Sequence, residues 1–289
     1  MEQNIIYKLR TDMSSVDMYV EKYWKSIDFH KSMDDYDILY YIFLYKSSKI
    51  NFILDLFING KINININKIY SNGDCLLNIS DNKSLKFLLN NHLQNKINLK
   101  IDIFNNMHVH FIQNICEKGD IENIKLFSKL VDNLSYYILK PNYCKETALH
   151  VACYNNPEIL EYMLNYINTD LNLYNNWSEG LLHISCYHKN PKMLDLLLKK
   201  FNNFDVNKKA FDGKTAIHYA CSRNRLDNIN LLIKYNGNID LDIKDNRFCK
   251  AIDYLIDHEY IKTFKKIRKY SKPKAGIYCA EIYKLLIKN

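Results

Sequence analysis

The chain has 289 residues, a formal net charge of +8 and a hydrophobic fraction of 47%, which is enough to build a continuous core. Its longest apolar run, Ile38–Tyr45, is far shorter than the roughly 20 residues that a membrane-spanning helix needs. The start of the chain lacks the basic and apolar regions of a secretory signal peptide. We therefore expect a soluble, intracellular protein that does not insert into a membrane.

The N-terminal third contains helical patterns but no clear motif. Asp17–Ile27 has the spacing of an amphipathic helix, which predicts an N-terminal cap. Phe52–Ile58 predicts another helix, and Asn59-Gly60 after it predicts a turn. Ser84–Leu89 predicts a further short helix.

Three stretches in the second half of the chain are copies of one another. They read KETALHVAC (Lys145–Cys153), SEGLLHISC (Ser178–Cys186) and GKTAIHYAC (Gly213–Cys221). Their histidines, at positions 150, 183 and 218, are separated by 33 and 35 residues. A period of about 33 residues with a T-P-L-H-x-A-like signature resembles the ankyrin-repeat family. The resemblance implies an all-α ankyrin-repeat solenoid of stacked helix–turn–helix units with connecting β-hairpin-like loops.

Each copy contains the other parts of the family pattern. In the third copy, Asp212-Gly213 predicts a tight turn and Thr215 a helix N-cap. The second helices are predicted at Ile159–Leu164, Met193–Leu198 and Leu226–Ile233.

The period continues on both sides of these copies while the motif weakens. Gln113 and Asn78 take the histidine position at steps of 37 and 35 residues, and Asp253 follows His218 by 35 residues. We count about seven units: three clear, one capping and three degenerate. The degenerate units are either ankyrin repeats or irregular paired helices.

The sequence thus divides into an N-terminal helical cap (1–33), degenerate repeats (34–142), clear repeats with a capping repeat (143–257) and a basic helical tail (258–289). Basic residues of the tail can contact nucleic acid, an acidic protein surface or an import receptor. Alternatively they are the solvated face of a terminal helix that packs through Tyr260, Phe264 and Ile267. The basic residues are Lys262, Lys265, Lys266, Arg268, Lys269, Lys272 and Lys274.

The cysteines of the clear copies favour a reducing compartment. Cys153, Cys186 and Cys221 lie three residues after each histidine, where the resemblance implies a small buried residue. Neighbouring helices lie about 8–10 Å apart, so these His-x-x-Cys pairs cannot converge on one zinc ion. We expect buried, reduced and metal-free thiols, and histidines that form structural hydrogen bonds at the helix start.

The sequence contains none of the motifs of nucleotide binding, nucleophilic hydrolysis or zinc proteolysis. His108 and His110 lie close to Cys116 without a second cluster of metal ligands, which favours a helix of a degenerate repeat. We therefore expect no enzymatic activity, no cofactor, and no catalytic or metal-binding residues.

The resemblance implies that a partner contacts the turn before each motif and the end of the first helix. Tyr143, Trp177 and Phe211 are predicted to form a row of exposed aromatic residues along the turn tips, and Tyr154 and Tyr187 a second row. Tyr, Trp and Arg dominate binding hot spots, although 23 tyrosines also allow a chance arrangement. The predicted partner-binding residues are Tyr143, Glu146, Tyr154, Asn155, Asn176, Trp177, Glu179, Tyr187, His188, Phe211, Asp212, Lys214, Arg223, Asn246 and Arg247.

The resemblance implies a protein-binding adaptor or inhibitor, in the cytoplasm or the nucleus. The abundance of Asn, Ile, Lys and Tyr is typical of an AT-rich genome, as in some large DNA viruses and intracellular pathogens. For such a source the partner would be a host protein of a signalling or ubiquitin pathway, although residues 272–289 lack a clear F-box-like pattern. The alternative is a nucleic-acid-associated or nuclear protein that uses the basic tail.

Overall fold

The computed structural model describes residues 18, 20, 22, 24–27, 29, 32–33, 36–44, 48–201, 203–235 and 239–257. The chain divides into two compact units, unit 1 (Met1–Tyr143) and unit 2 (Cys144–Asn289). The predicted basic tail lies outside the described residues.

Unit 1 contains a short β-hairpin followed by helix pairs. The first helices of the pairs stack on one another, and so do the second helices. The strands are β1 (Ser32–Met33) and β2 (Tyr36–Asp37), and the pairs are α1 (Ile38–Leu44) with α2 (Ile50–Ile58), α3 (Leu76–Ile79) with α4 (Asn82–Leu93), and α5 (Phe111–Lys118) with α6 (Ile121–Ser128). A further helix, α7 (Leu134–Leu139), follows the last pair and is not predicted by the sequence.

The structure describes only part of the helical cap predicted over residues 1–33, which stays a prediction. Residues 18, 20 and 22 are helical and Trp24–Ser26 form a 3-10 turn, but Ser32–Met33 form a strand. Asp37, the last residue of β2, binds the first turn of α1. Its buried carboxylate accepts hydrogen bonds from the backbone N–H of Tyr40 and the hydroxyl of Tyr70, both at 2.9 Å, and pairs with Lys68 Nζ at 3.0 Å.

Unit 2 is a stack of three helix pairs and a terminal helix. The first helices α8, α10, α12 and α14 stack in that order, as do the second helices α9, α11 and α13. Their bounds are α8 (Ala148–Asn155), α9 (Pro157–Leu164), α10 (Leu181–Tyr187), α11 (Lys192–Lys200), α12 (Ala216–Ser222), α13 (Leu226–Tyr235) and α14 (Asp253–Asp257). Every helix predicted for the clear copies is therefore present.

Three thiols of unit 2 lie in its core. Cys153, Cys186 and Cys221 are free cysteines with no exposed surface. Burial raises the pKa of Cys153 to about 12 and raises the pKa of the other two thiols as well. The prediction that these cysteines are buried in the first helices is confirmed.

The histidines of the copies cap the first helices. His150 Nδ1 accepts a hydrogen bond from the backbone N–H of Thr147 at 3.2 Å, and His218 Nδ1 accepts from Thr215 at 3.2 Å. His183 Nδ1 accepts from the backbone of Gly180 at 3.1 Å. With Nδ1 as the acceptor, Nε2 carries the proton, and His183 Nε2 donates to the Lys208 carbonyl at 2.9 Å. The predicted structural role of the histidines is confirmed.

The turn before each first helix has the same backbone conformation in six successive copies. Its central residue has a φ of +57° to +81°, a left-handed conformation that few residues other than glycine adopt. These residues are Gly73, His108, Lys145, Ser178, Gly213 and Phe248. Each lies five residues before the histidine position, which is Asn78 and Gln113 in unit 1 and Asp253 in the last copy. The register predicted from the weakening motif is therefore confirmed.

Candidate partner-binding surface

Successive turn tips within each unit are joined by one repeated hydrogen bond. The donor is the backbone N–H of the residue that lies two positions before the left-handed residue. The acceptor is the carbonyl of the residue that lies one position before the left-handed residue of the preceding copy. The bonds are Asn106 to Asn72 (3.2 Å) and Tyr143 to Met107 (2.9 Å) in unit 1, and Asn176 to Cys144 (2.9 Å), Phe211 to Trp177 (2.8 Å) and Asn246 to Asp212 (3.0 Å) in unit 2. The tips of each unit therefore form a row with fixed spacing.

Large hydrophobic side chains are exposed along these rows. In unit 2 the exposed fractions are 50% for Trp177, 79% for Phe211 and 80% for Phe248. Tyr143 and Met107 are exposed in unit 1. Adjacent exposed hydrophobic side chains of this size mark interaction surfaces more often than isolated ones do.

The aromatic residues of the tips do not occupy one equivalent position. Phe211 and Tyr143 both lie two residues before the left-handed residue, whereas Trp177 lies one residue before it. The equivalent of Phe211 in the tip of Trp177 is Asn176. Trp177 and Phe211 of unit 2 are therefore staggered, and the ladder of Tyr143, Trp177 and Phe211 stays a prediction.

The sequence interpretation missed Phe248, although the period points to it. Phe248 stands where Gly213 stands one copy earlier, with a φ of +63°. This conformation is unfavourable for a bulky side chain, and its ring is nevertheless directed into solvent. A step of 35 residues from Gly213, equal to the step between His183 and His218, leads to this residue.

The ends of the first helices carry a cluster of tyrosines beside the tips of unit 2. Tyr154 and Tyr187 occupy the same position in α8 and α10, with exposed fractions of 38% and 39%. Tyr219 of α12 donates its hydroxyl to Glu179 Oε1 at 2.7 Å, and its ring centroid lies 6.4 Å from that of Tyr187. The Arg223 guanidinium carbon lies 4.3 Å from the centroid of Tyr187, and Arg223 also donates to the Tyr187 hydroxyl. The structure thus brings together four of the predicted residues: Glu179, Tyr154, Tyr187 and Arg223.

Several predicted residues hold the surface in place. Lys214 Nζ pairs with Asp212 Oδ2 at 2.8 Å and lies 5.5 Å from the ring centroid of Tyr254. Asn246 Nδ2 donates to the Phe211 carbonyl at 2.9 Å. Asn155 Nδ2 donates to the Val151 carbonyl within its own helix, and His188 Nδ1 accepts from Asn190 in its own turn. Arg247 is exposed in the last tip.

Two comparisons with known families identify the repeated part of the chain. The family model described as ankyrin repeats (3 copies) matches residues 167–245, and the model described as ankyrin repeat matches residues 144–176. Residues 144–245 of the chain are therefore ankyrin repeats. A comparison with curated proteins found none that matches it. Ankyrin repeats generally mediate protein–protein interactions and typically lack catalytic activity, so protein partners are implied.

His110, which lies outside the matched residues, has a structural role. His110 is the N-cap of α5, where its Nδ1 accepts from the backbone of Ile112 at 3.3 Å and its Nε2 lies 2.7 Å from the Ile101 carbonyl. Burial lowers the pKa of His110 to about 4.

No group of three metal-ligating side chains occurs among the residues that the structure describes. No helix in this part of the chain is long and apolar enough to cross a membrane.

Proposed function

We propose that this chain is a non-enzymatic adaptor or inhibitor that binds a protein through the tip row and the adjoining tyrosine cluster of unit 2. The observation that carries the proposal is the pair of exposed aromatic residues on adjacent tips, Trp177 and Phe211. The free cysteines of the described residues support a reducing compartment such as the cytoplasm.

The tip row is suited to binding because its backbone is already ordered. The hydrogen bond from Phe211 to Trp177 fixes the spacing of the two side chains before any partner arrives. Preorganised residues lose less conformational entropy on binding, so more of the energy of burying them contributes to affinity. Each aromatic anchor of this kind typically contributes about 2 kcal/mol or more.

Affinity capture from cell extracts tests the proposal with two paired variants. The tip variant is Trp177→Ala/Phe211→Ala. The control is Tyr162→Ala/Tyr166→Ala, which removes two aromatic residues that do not belong to the tips. Their hydroxyls lie 2.9 Å from each other. We expect proteins captured by the wild type to be lost from the tip variant and kept by the control, with the melting temperature of the tip variant nearly unchanged. A tip variant that keeps every captured protein, or that melts at a much lower temperature, would contradict the proposal.

The nucleic-acid alternative depends on the basic tail, outside the described residues. It predicts binding that weakens steeply with salt and is lost when Lys265, Lys266, Arg268 and Lys269 are replaced by glutamine. Filter binding of the full chain at several salt concentrations distinguishes the two functions.

A further inference from the structure

Unit 2 shows how its own surface holds an arginine side chain. Arg223 follows the histidine position of its copy by five residues, and its guanidinium group packs on Tyr187, which follows the preceding histidine by four. A planar guanidinium stacks well on an aromatic ring, because the ring face is negative and the cation is weakly hydrated. The contact joins two successive copies.

The same arrangement is incomplete one copy earlier, at Tyr154. The residue that corresponds to Arg223 there is His188. Burial, aided by the positive charge of Arg225, lowers the pKa of His188, so its ring is neutral at pH 7. Its Nδ1 is occupied by the N–H of Asn190. Among the described residues, no cation or aromatic ring packs on Tyr154 as Arg223 packs on Tyr187.

Two carboxylates that suit a cation occupy equivalent positions in successive tips, because Glu146 and Glu179 each follow the left-handed residue of their copy. Besides burial, the negative charges of Glu179 and Glu146 raise the pKa of Tyr154, so both groups act on its hydroxyl. The hydrogen-bond donors recorded for Glu179 are the neutral groups Tyr219 Oη and Asn175 Nδ2, so its charge is not cancelled by these bonds.

We propose that Tyr154, with Glu146 and Glu179, binds an arginine side chain of the protein partner. The guanidinium group stacks on the Tyr154 ring, as Arg223 does on Tyr187, and its N–H groups face the carboxylates. This inference builds on the proposed binding function and adds the chemistry of the partner: an exposed basic segment with at least one arginine.

The direct test is a titration of the full chain, labelled with ¹³C in its tyrosine rings, with N-acetyl-arginine amide followed by NMR. The control ligand is N-acetyl-citrulline amide, which has a similar shape without the charge. We expect the arginine probe to shift the Tyr154 signal saturably and the citrulline probe to bind more weakly by at least the two- to five-fold that a cation–π contact at an exposed site contributes (about 0.5–1 kcal/mol). Tyr154→Leu identifies the signal.

Two variants test the aromatic and the acidic part of the site. His188→Arg supplies the missing internal cation and should abolish binding of the probe at Tyr154. Glu146→Gln should weaken binding, and it leaves the hydrogen bonds of Glu179 intact.

Several outcomes would overturn the inference. These are equal shifts from the arginine and citrulline probes, or unchanged probe binding in a His188→Arg variant that melts like the wild type. If that variant fails to fold, the comparison of the two probes decides. The proposed function can fail independently of this inference. If arginine binds at Tyr154 but the tip variant keeps its captured proteins, the tip row is refuted and this site stands. If the tip variant loses its captured proteins but arginine does not bind at Tyr154, this site alone is refuted.

Discussion

Gly73 and Gly60 form a matched pair for measuring how strongly adjacent turn tips depend on close approach. Both glycines belong to unit 1 and have similar left-handed conformations, with φ of +79° and +66°. A Cβ atom at position 60 would meet nothing within 4 Å. At position 73 it would lie 2.4 Å from both the backbone nitrogen and the Oδ1 of Asn106 in the next tip.

The expected losses of stability follow from these contacts. Alanine in a left-handed conformation costs about 1–2 kcal/mol, offset by about 0.4–1 kcal/mol from the less flexible unfolded chain, so Gly60→Ala should cost about 1 kcal/mol. Gly73→Ala must also displace Asn106, whose backbone and side-chain N–H groups donate to Asn72 and Ser71 at 3.2 and 2.9 Å. Losing two hydrogen bonds adds about 2 kcal/mol, for a total of about 3 kcal/mol.

Urea unfolding at 25 °C, followed by circular dichroism, gives both free energies, and hydrogen exchange at the Asn106 amide reports the tip contact directly. Gly213→Ala repeats the experiment in unit 2, where the Cβ would lie 2.6 Å from the nitrogen of Asn246. Equal losses for Gly60→Ala and Gly73→Ala, with unchanged exchange at Asn106, would refute the reasoning.

Three further predictions concern the core, the last tip and acid sensitivity. Cys186→Asp places a charge among fully buried groups and should lower the free energy of unfolding, measured in urea, by at least about 3 kcal/mol. Cys186→Ala should lower it by about 1 kcal/mol. Similar losses for the two variants would show that the site reaches water. Phe248→Gly removes the strain of a left-handed backbone and loses little buried surface, so it should raise the free energy of unfolding by about 1 kcal/mol in a thermal melt. A lower free energy of unfolding would mean that the Phe248 ring packs on the fold. Burial lowers the pKa of His150 to about 4, so the unfolded chain takes up protons first, and stability should fall between about pH 6.5 and pH 4 by up to about 3 kcal/mol. His150→Gln, which copies the natural Gln113, should flatten the pH dependence of urea unfolding in this range, and an unchanged slope would assign the acid sensitivity to other groups.

The clear copies could be predicted closely because the same residues recur at the same places. The second helices predicted at Leu226–Ile233 and Met193–Leu198 occur at Leu226–Tyr235 and Lys192–Lys200, differing at most by two residues at either end. The hairpin at Ser32–Asp37 and helix α7 occur once each, so no internal comparison could reveal them. Helix α7 depends on a local cap, in which Asn133 Oδ1 accepts from the backbone of Tyr136 at 3.1 Å.

The candidate site was predicted only in part, because the sequence places residues in a turn without fixing their backbone angles. The exposure of Trp177 and Phe211 follows from the turn, but their stagger follows from the left-handed residues Ser178 and Gly213. The packing of Arg223 on Tyr187 was not predicted. That contact joins side chains 36 residues apart, which no local pattern encodes.

The buried thiols of unit 2 can report how often each ankyrin repeat opens. Cys153, Cys186 and Cys221 lie in successive first helices, and each is sheltered from reagents until its own copy opens. Because each repeat of a solenoid contacts mainly its neighbours, copies can open separately, and the labelling rate of each thiol reports the lifetime of one copy. Pulsed alkylation followed by peptide mass analysis would therefore show the order in which the stack opens in the unmutated protein, and a bound partner would slow the labelling of the copies that it bridges.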